Sequence, residues 1–156
     1  WEWLRRTDPS RPWQGLPMAD DCNARAVFEA MVRIEVGRGD NVLFWRDKWI
    51  RGLGVSDIAP RLMETVPTRI VNSRTVHQAF AEDRWYEDCD AMATFTAQLQ
   101  CMHLCHAIAS VHRDANEPDR FTWPATNMAS YSAKSVYDYL CSGLQKSPTA
   151  ACTWRS

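Results

Sequence analysis

Excess charge of one sign is missing from this sequence. Its 18 Lys and Arg stand against 19 Asp and Glu, a formal net charge of −1, so no global electrostatic pull toward nucleic acid is expected. Missing too is an apolar run long enough to span a bilayer, so no membrane partner is expected. No basic stretch followed by an apolar one opens the chain as a secretory signal would. There is no Gly-rich phosphate loop, no nucleophile elbow and no pair of carboxylates spaced along a strand-like segment. No internal repeat or low-complexity tract is present. Cys22, Cys89, Cys101, Cys105, Cys141 and Cys152 follow no regular framework, which predicts free thiols in a reducing, intracellular compartment. The chain opens on Trp1 rather than Met and stops at Trp154-Arg155-Ser156, and it reads as a fragment.

What the sequence does hold is aromatic surface. Eight Trp in 156 residues, clustered rather than scattered, and a 46% apolar share argue that the middle of the chain folds, because that much apolar surface seeks burial. The charge is divided unevenly: residues 1–78 carry 12 Lys and Arg against 10 acids, and residues 79–156 carry 6 against 9. Most of the cations are Arg, suited to phosphate and carboxylate forks and equally to surface pairs.

Pro9, Pro12, Pro17 and Gly15 among Trp1, Trp3 and Trp13 predict an irregular lead-in over 1–20. Asp20 and Asp21 are placed to cap a helix to about Met31. The clearest local pattern follows. Val32, Ile34 and Val36 alternate with charged residues, Gly37-Arg38-Gly39-Asp40 can turn, and Asn41–Trp45 favours strand; this predicts a β-hairpin with Ile34 opposite Leu43 and Val32 opposite Trp45. Residues 46–55 read as a loop, Ser56–Met63 as a short helix with Pro60 in its first turn, and Ser73 as the cap of a helix ending near Glu82. A turn carries Trp85 and Tyr86. Asp90 opens the longest periodic stretch, to His112, with two adjacent apolar stripes: Met92, Phe95, Leu99, Met102 and Ala109, then Cys101, Leu104, Ile108 and Val111. Phe121–Trp123 is a strand candidate, Tyr131 ends another, and Ser132 caps a helix to Gly143.

Few residues invite chemistry. Cys101, His103, Cys105 and His106 are zinc-type ligands, but on one helix they point in different directions, so buried thiols with exposed imidazoles are expected and no metal or other cofactor. Asp8, Asp20, Asp21, Glu82 and Asp83 are better explained as caps and turn residues than as acids or bases. Ser73 and His77 lack a third group, so no catalytic residue is assigned and no small-molecule substrate is expected. The best nucleic-acid candidates are Arg33, Arg38, Arg46, Lys48 and Arg51, interleaved with Phe44, Trp45 and Trp49, because cations hold phosphates while rings stack on bases. Glu35, Asp40 and Asp47 weaken that stripe, and Trp45 and Trp49 are equally readable as core.

Gly37 to Trp49, with Phe44-Trp45-Arg46-Asp47-Lys48-Trp49, resembles the G-x-G-x-x-x-x-F-W-x-D-x-W stretch of plant non-LTR retrotransposon polyproteins, just beyond the reverse transcriptase. Tyr131-Ser132-Ala133-Lys134-Ser135-Val136-Tyr137 is similar to the opening of the zinc-binding domain that follows in those polyproteins, with Ala129 where the family carries Gly. The first block, Trp3 to Pro17 with Asp8-Pro9-Ser10-Arg11-Pro12-Trp13, is also similar to such elements, and Ile58-Ala59-Pro60 and Trp85 fall in the expected order between the two motifs. The resemblance implies RNA-directed DNA synthesis by the intact parent. The catalytic aspartates would lie upstream of this segment and the Cys and His ligands downstream. The expectation is therefore an α+β fold, a hairpin and short strands packed by four or five helices. It divides into a lead-in (1–20), a connector (21–118) and the truncated start of a zinc-binding-like domain (119–156). The expected role is a non-catalytic connector, with the rest of the parent polyprotein and an RNA or DNA template as partners. The rival is a stand-alone protein-interaction module using the long apolar-faced helix.

Overall fold

The strand expected in Val32–Val36 forms, but its partner is distant in sequence. In a computed structural model, which describes residues 2–7, 10, 12, 22–91, 93–123 and 134, β1 (Arg33–Glu35) pairs antiparallel with β2 (Arg120–Thr122), setting Ile34 opposite Phe121. The expected Ile34–Leu43 pairing is corrected: Leu43 instead forms an antiparallel bridge with Thr75, flanked by Phe44 N–H donating to Arg74 O (2.9 Å) and Val76 N–H to Val42 O (2.8 Å). The reason lies in the Gly37–Asn41 loop, whose N–H groups turn to the Asp119 carboxylate rather than across a local ladder. A charged acceptor makes stronger hydrogen bonds than a neutral carbonyl.

The fold class is α+β. Within the lead-in, α1 (Glu2–Thr7) is helical where irregular chain was expected. Next come α2 (Cys22–Met31), α3 (Val55–Ile58), α4 (Pro60–Met63), α5 (Thr68–Val71), α6 (Val76–Phe80), a 3-10 turn at Ala81–Asp83, α7 (Arg84–Glu87) and α8 (Phe95–Ala109). The helices are shorter and more numerous than expected, for local reasons. Pro60 lacks an N–H and forces Ala59 out of the helical region (φ −136°, ψ 60°), splitting one expected helix into α3 and α4. Ser73 does not cap: its hydroxyl donates to Arg69 O (2.8 Å), and Thr75 caps α6 reciprocally with Gln78. Thr94, not Asp90, caps α8 through Ala97 N–H (3.0 Å). The segment expected as a second strand and helix, Tyr131 to Gly143, lies outside the described residues apart from Lys134, as does Met92.

The core is aromatic. Phe44 and Trp45 are fully buried, as are Val42, Val55, Leu62, Val76 and Leu104. Phe44 stacks on Trp85 (5.8 Å, 26°) and meets Trp45, Trp49 and Phe80 at 5.0, 5.4 and 6.2 Å. A smaller cluster of Phe28, Met31, Val32 and Trp123 packs with Trp3, whose ring meets Trp123 edge-on at 6.3 Å. Because β2 begins at Arg120, the expected third segment shares its sheet with the second.

Gly37 sits where no side chain fits: a Cβ there would lie 2.1 Å from Glu117 O and 2.7 Å from Pro118 backbone atoms. Gly54, by contrast, has its nearest such neighbour at 3.4 Å and an ordinary φ of −95°. Gly37→Ala is therefore expected to lower unfolding free energy by at least roughly 2 kcal/mol, and Gly54→Ala by less than about 1. Chemical denaturation of both variants checks this; equal losses would contradict it.

Candidate nucleic-acid interface

The rings expected to stack on bases face inward. Trp45 and Phe44 are fully buried and Trp49 is 2% exposed. Trp49 Nε1–H donates to Phe44 O (2.9 Å) and Trp45 Nε1–H to Asp88 Oδ2 (3.1 Å). Asp47, itself 2% exposed, accepts from Leu43 N–H (2.6 Å), so it shapes the Leu43–Asp47 turn. The spacing that suggested a stacking platform builds a core.

The five cations scatter. Arg33 is exposed on β1, and its carbonyl accepts from Thr122 Oγ1 (3.4 Å). Arg38 is exposed at the loop tip, with Nε 3.6 Å from Asp40 Oδ2. Arg46 is the most enclosed of the ion-paired three: its Nη1 donates to Asn72 Oδ1 (2.9 Å) and its Nε lies 3.7 Å from Glu29 Oε1, joining α2 to the end of α5. Lys48 Nζ is 4.0 Å from Asp57 Oδ2. Arg51 Nη2 donates to Ser110 O (2.9 Å), where a cation complements the C-terminal end of α8. Its positive φ of 54°, beside Gly52 at 84°, belongs to the tight turn closed by two bonds between Ile50 and Leu53.

Arg51 also lines an open groove of about 570 Å³, but Glu35, Asp114 and Glu117 share that lining with Arg120 and His112. Mixed signs of this kind give no sustained positive field for a phosphate backbone. Sequence reasoning did not single out Arg120, His112 or Asp119. Each lies far along the chain from the motif; the β1–β2 pairing brings Asp119 and Arg120 near, and the Arg51 bond to Ser110 O at the end of α8 brings His112.

These placements separate the cations by role. Arg38→Ala with Lys48→Ala is expected to change stability by less than about 0.5 kcal/mol, since exposed pairs contribute little. Arg46→Ala is expected to cost roughly 1–2 kcal/mol through its lost bond to Asn72 and its packed stem. Thermal melting of the two variants separates them; an Arg46→Ala variant as stable as the parent would contradict the assignment. Adding Arg46 to a set of charge-removing changes therefore disturbs the fold as well as the surface.

The Cys101–His106 cluster divides as helix geometry requires. Cys101 is buried, while His103, Cys105 and His106 are exposed, which corrects the expectation that both thiols are buried. Among the described residues no three His, Cys, Asp or Glu side chains are placed to hold a metal ion. Cys89, Cys101 and Cys105 are free thiols. Burial, reinforced by neighbouring Cys101 and Asp88, pushes the Cys89 thiol from its ordinary 9.0 up to about 12. Burial also raises Cys101. Because the folded chain holds the Cys89 proton more tightly, its contribution to stability is complete below pH 9 and is lost progressively as pH climbs toward about 12. Thiol-alkylating reagents at neutral pH are expected to modify Cys105 well before Cys89 or Cys101. Native Cys89 reacting as fast as Cys105 would contradict this placement.

Among the described residues no helix is long and apolar enough to cross a membrane. Compared with known proteins, the chain matches no family model, no curated protein and no solved structure.

Proposed function

We propose that this chain is a non-catalytic connector from a plant non-LTR retrotransposon polyprotein, lying between the reverse transcriptase and the zinc-binding domain. The observation that carries this reading is the outer face of α8. Phe95, Leu99 and Met102, spaced to share one stripe, are 74%, 42% and 65% exposed, while Ala97, Cys101, Leu104 and Ile108 on the other face are buried. A contiguous apolar stripe on an otherwise packed helix marks a docking surface. The remainder of the parent polyprotein is its partner in this reading. The motif from Gly37 to Trp49 supports the same role, because its aromatics share one buried cluster with Ala97, Cys101, Leu104 and Ile108 of α8.

Any contact with an RNA or DNA template falls to Arg33, Arg38 and Lys48, since Arg46 and Arg51 are engaged internally. With so few phosphates neutralised, binding is weak and its salt dependence shallow. The stripe favours a second reading as well, a stand-alone protein-interaction module with an unrelated partner.

Co-expression with the flanking polyprotein segments tests the first reading. The parent chain is expected to co-purify with them. Changing Phe95, Leu99 and Met102 each to Asp is expected to abolish co-purification while leaving the melting temperature of the isolated chain nearly unchanged. Co-purification that survives the triple change would remove the stripe from the argument.

A further inference from the structure

The Gly37–Asn41 loop turns three backbone N–H groups toward one point. Gly37 and Gly39 donate to Asp119 Oδ1 at 2.9 and 2.7 Å, and Asn41 donates to Asp119 Oδ2 at 2.9 Å. The curl depends on Gly39 at φ +83°, and the intervening Arg38 N–H points away to Glu117 O (2.8 Å). Alternate N–H groups gathered into a concavity in this way carry partial positive charge and bind anions. The carboxylate already held there shows that the cup fits an oxyanion.

We infer that the Gly37–Asn41 loop is an oxyanion-binding nest kept closed by the protein's own Asp119 carboxylate, so that it takes a phosphate or an external carboxylate only after Asp119 has left. Asp119 immediately precedes β2, so its departure removes one tie between the loop and that strand, while the Arg38 N–H bond to Glu117 O (2.8 Å) remains. The side chains of Arg38, Asp40 and His77 lie at its rim, with Asp40 3.6 Å from Arg38 Nε and 3.9 Å from His77 Nδ1. An incoming phosphate would meet Arg38 directly once the carboxylate had gone. This inference stands apart from the connector reading, because it concerns an internal contact and not the α8 stripe.

The test is the full chain carrying Asp119→Ala, compared with the parent in acetate, sulfate, phosphate and chloride at matched ionic strength. In chloride the variant is expected to melt lower by on the order of 5–10 °C, from the loss of a charge-accepting side chain with three partners. The oxyanions are expected to recover at least half of that gap, beyond any shift they give the parent. The amide signals of Gly37, Gly39 and Asn41 are expected to titrate saturably in the variant and to stay still in the parent. Where the variant does not fold in chloride, cooperative melting restored by an oxyanion supports the inference and failure to restore it overturns it. A short single-stranded oligonucleotide supplies the second arm. If it moves those amides where inorganic phosphate does not, the nest is suited to a nucleic-acid backbone. If inorganic phosphate suffices, it is suited to a free ion. Amides that respond to none of these, or equally in parent and variant, overturn the inference.

Discussion

Replacing Trp45 by Ala lowers the unfolding free energy by roughly 3–5 kcal/mol, the cost of emptying a fully buried large aromatic site. Trp45 is fully buried against Phe44, with their rings 5.0 Å apart. Its indole N–H also donates to Asp88 at 3.1 Å, so truncation removes a polar partner together with the packed ring. Trp45→Phe retains much of the ring volume and loses only the N–H, and is expected to cost about 1–2 kcal/mol. Urea denaturation with an unchanged slope measures both. If Trp45→Ala costs less than about 1 kcal/mol, Trp45 is not at the centre of the fold, and the motif's aromatics become available again as a binding surface.

The second large effect belongs to Asp88. Its side chain is only 4% exposed and forms a two-pronged pair with Arg74: Arg74 Nε donates at 2.8 Å to Oδ2, Nη2 makes a close contact with Oδ1, and Trp45 Nε1 shares Oδ2. Hydrogen bonding to Asp88 raises the pKa of the Arg74 guanidinium above its already high ordinary value. The guanidinium therefore stays charged throughout the accessible range and the pair gives no pH switch from that side. Asp88→Ala leaves a largely enclosed cation and the Trp45 N–H without their acceptor, at a cost of roughly 3–5 kcal/mol. Replacing Arg74 and Asp88 together by apolar residues of similar volume is expected to cost much less, because desolvation is relieved along with the attraction. A double variant as unstable as Asp88→Ala alone would contradict the pairing as the source of the loss. Phe44 N–H donates to Arg74 O, so the same residue holds the motif through its main chain.

The α+β class was legible because apolar alternation at Val32–Val36 and the 3.6-residue period of the long helix are local signals. The strand partner was not. Gly37-Arg38-Gly39-Asp40 carries ordinary turn chemistry, and nothing nearby reveals that Asp119 collects its N–H groups from a distant segment. The long helix showed two apolar stripes of similar strength, and the one containing Phe95, Leu99 and Met102 faces outward. The choice is made by α3 and α4, which pack on the other stripe, and by Gln100. Its carbonyl accepts the N–H groups of Arg61 and Leu62 at the start of α4 (2.8 and 3.2 Å). No periodicity argument contains that contact. The cationic residues of the candidate site were legible as residues but not in their partners: Asn72 and Glu29 for Arg46, Ser110 for Arg51. Long Arg side chains find acceptors on whichever elements the fold brings near, and sequence spacing does not encode them.

The connector reading is tested most directly by sequencing the transcript through both ends of this chain. The account predicts one open reading frame that encodes a polymerase with paired catalytic aspartates before Trp1 and a set of Cys and His ligands after Ser156. A start codon just ahead of Trp1 and a stop codon just behind Ser156, in a self-contained gene, would contradict it.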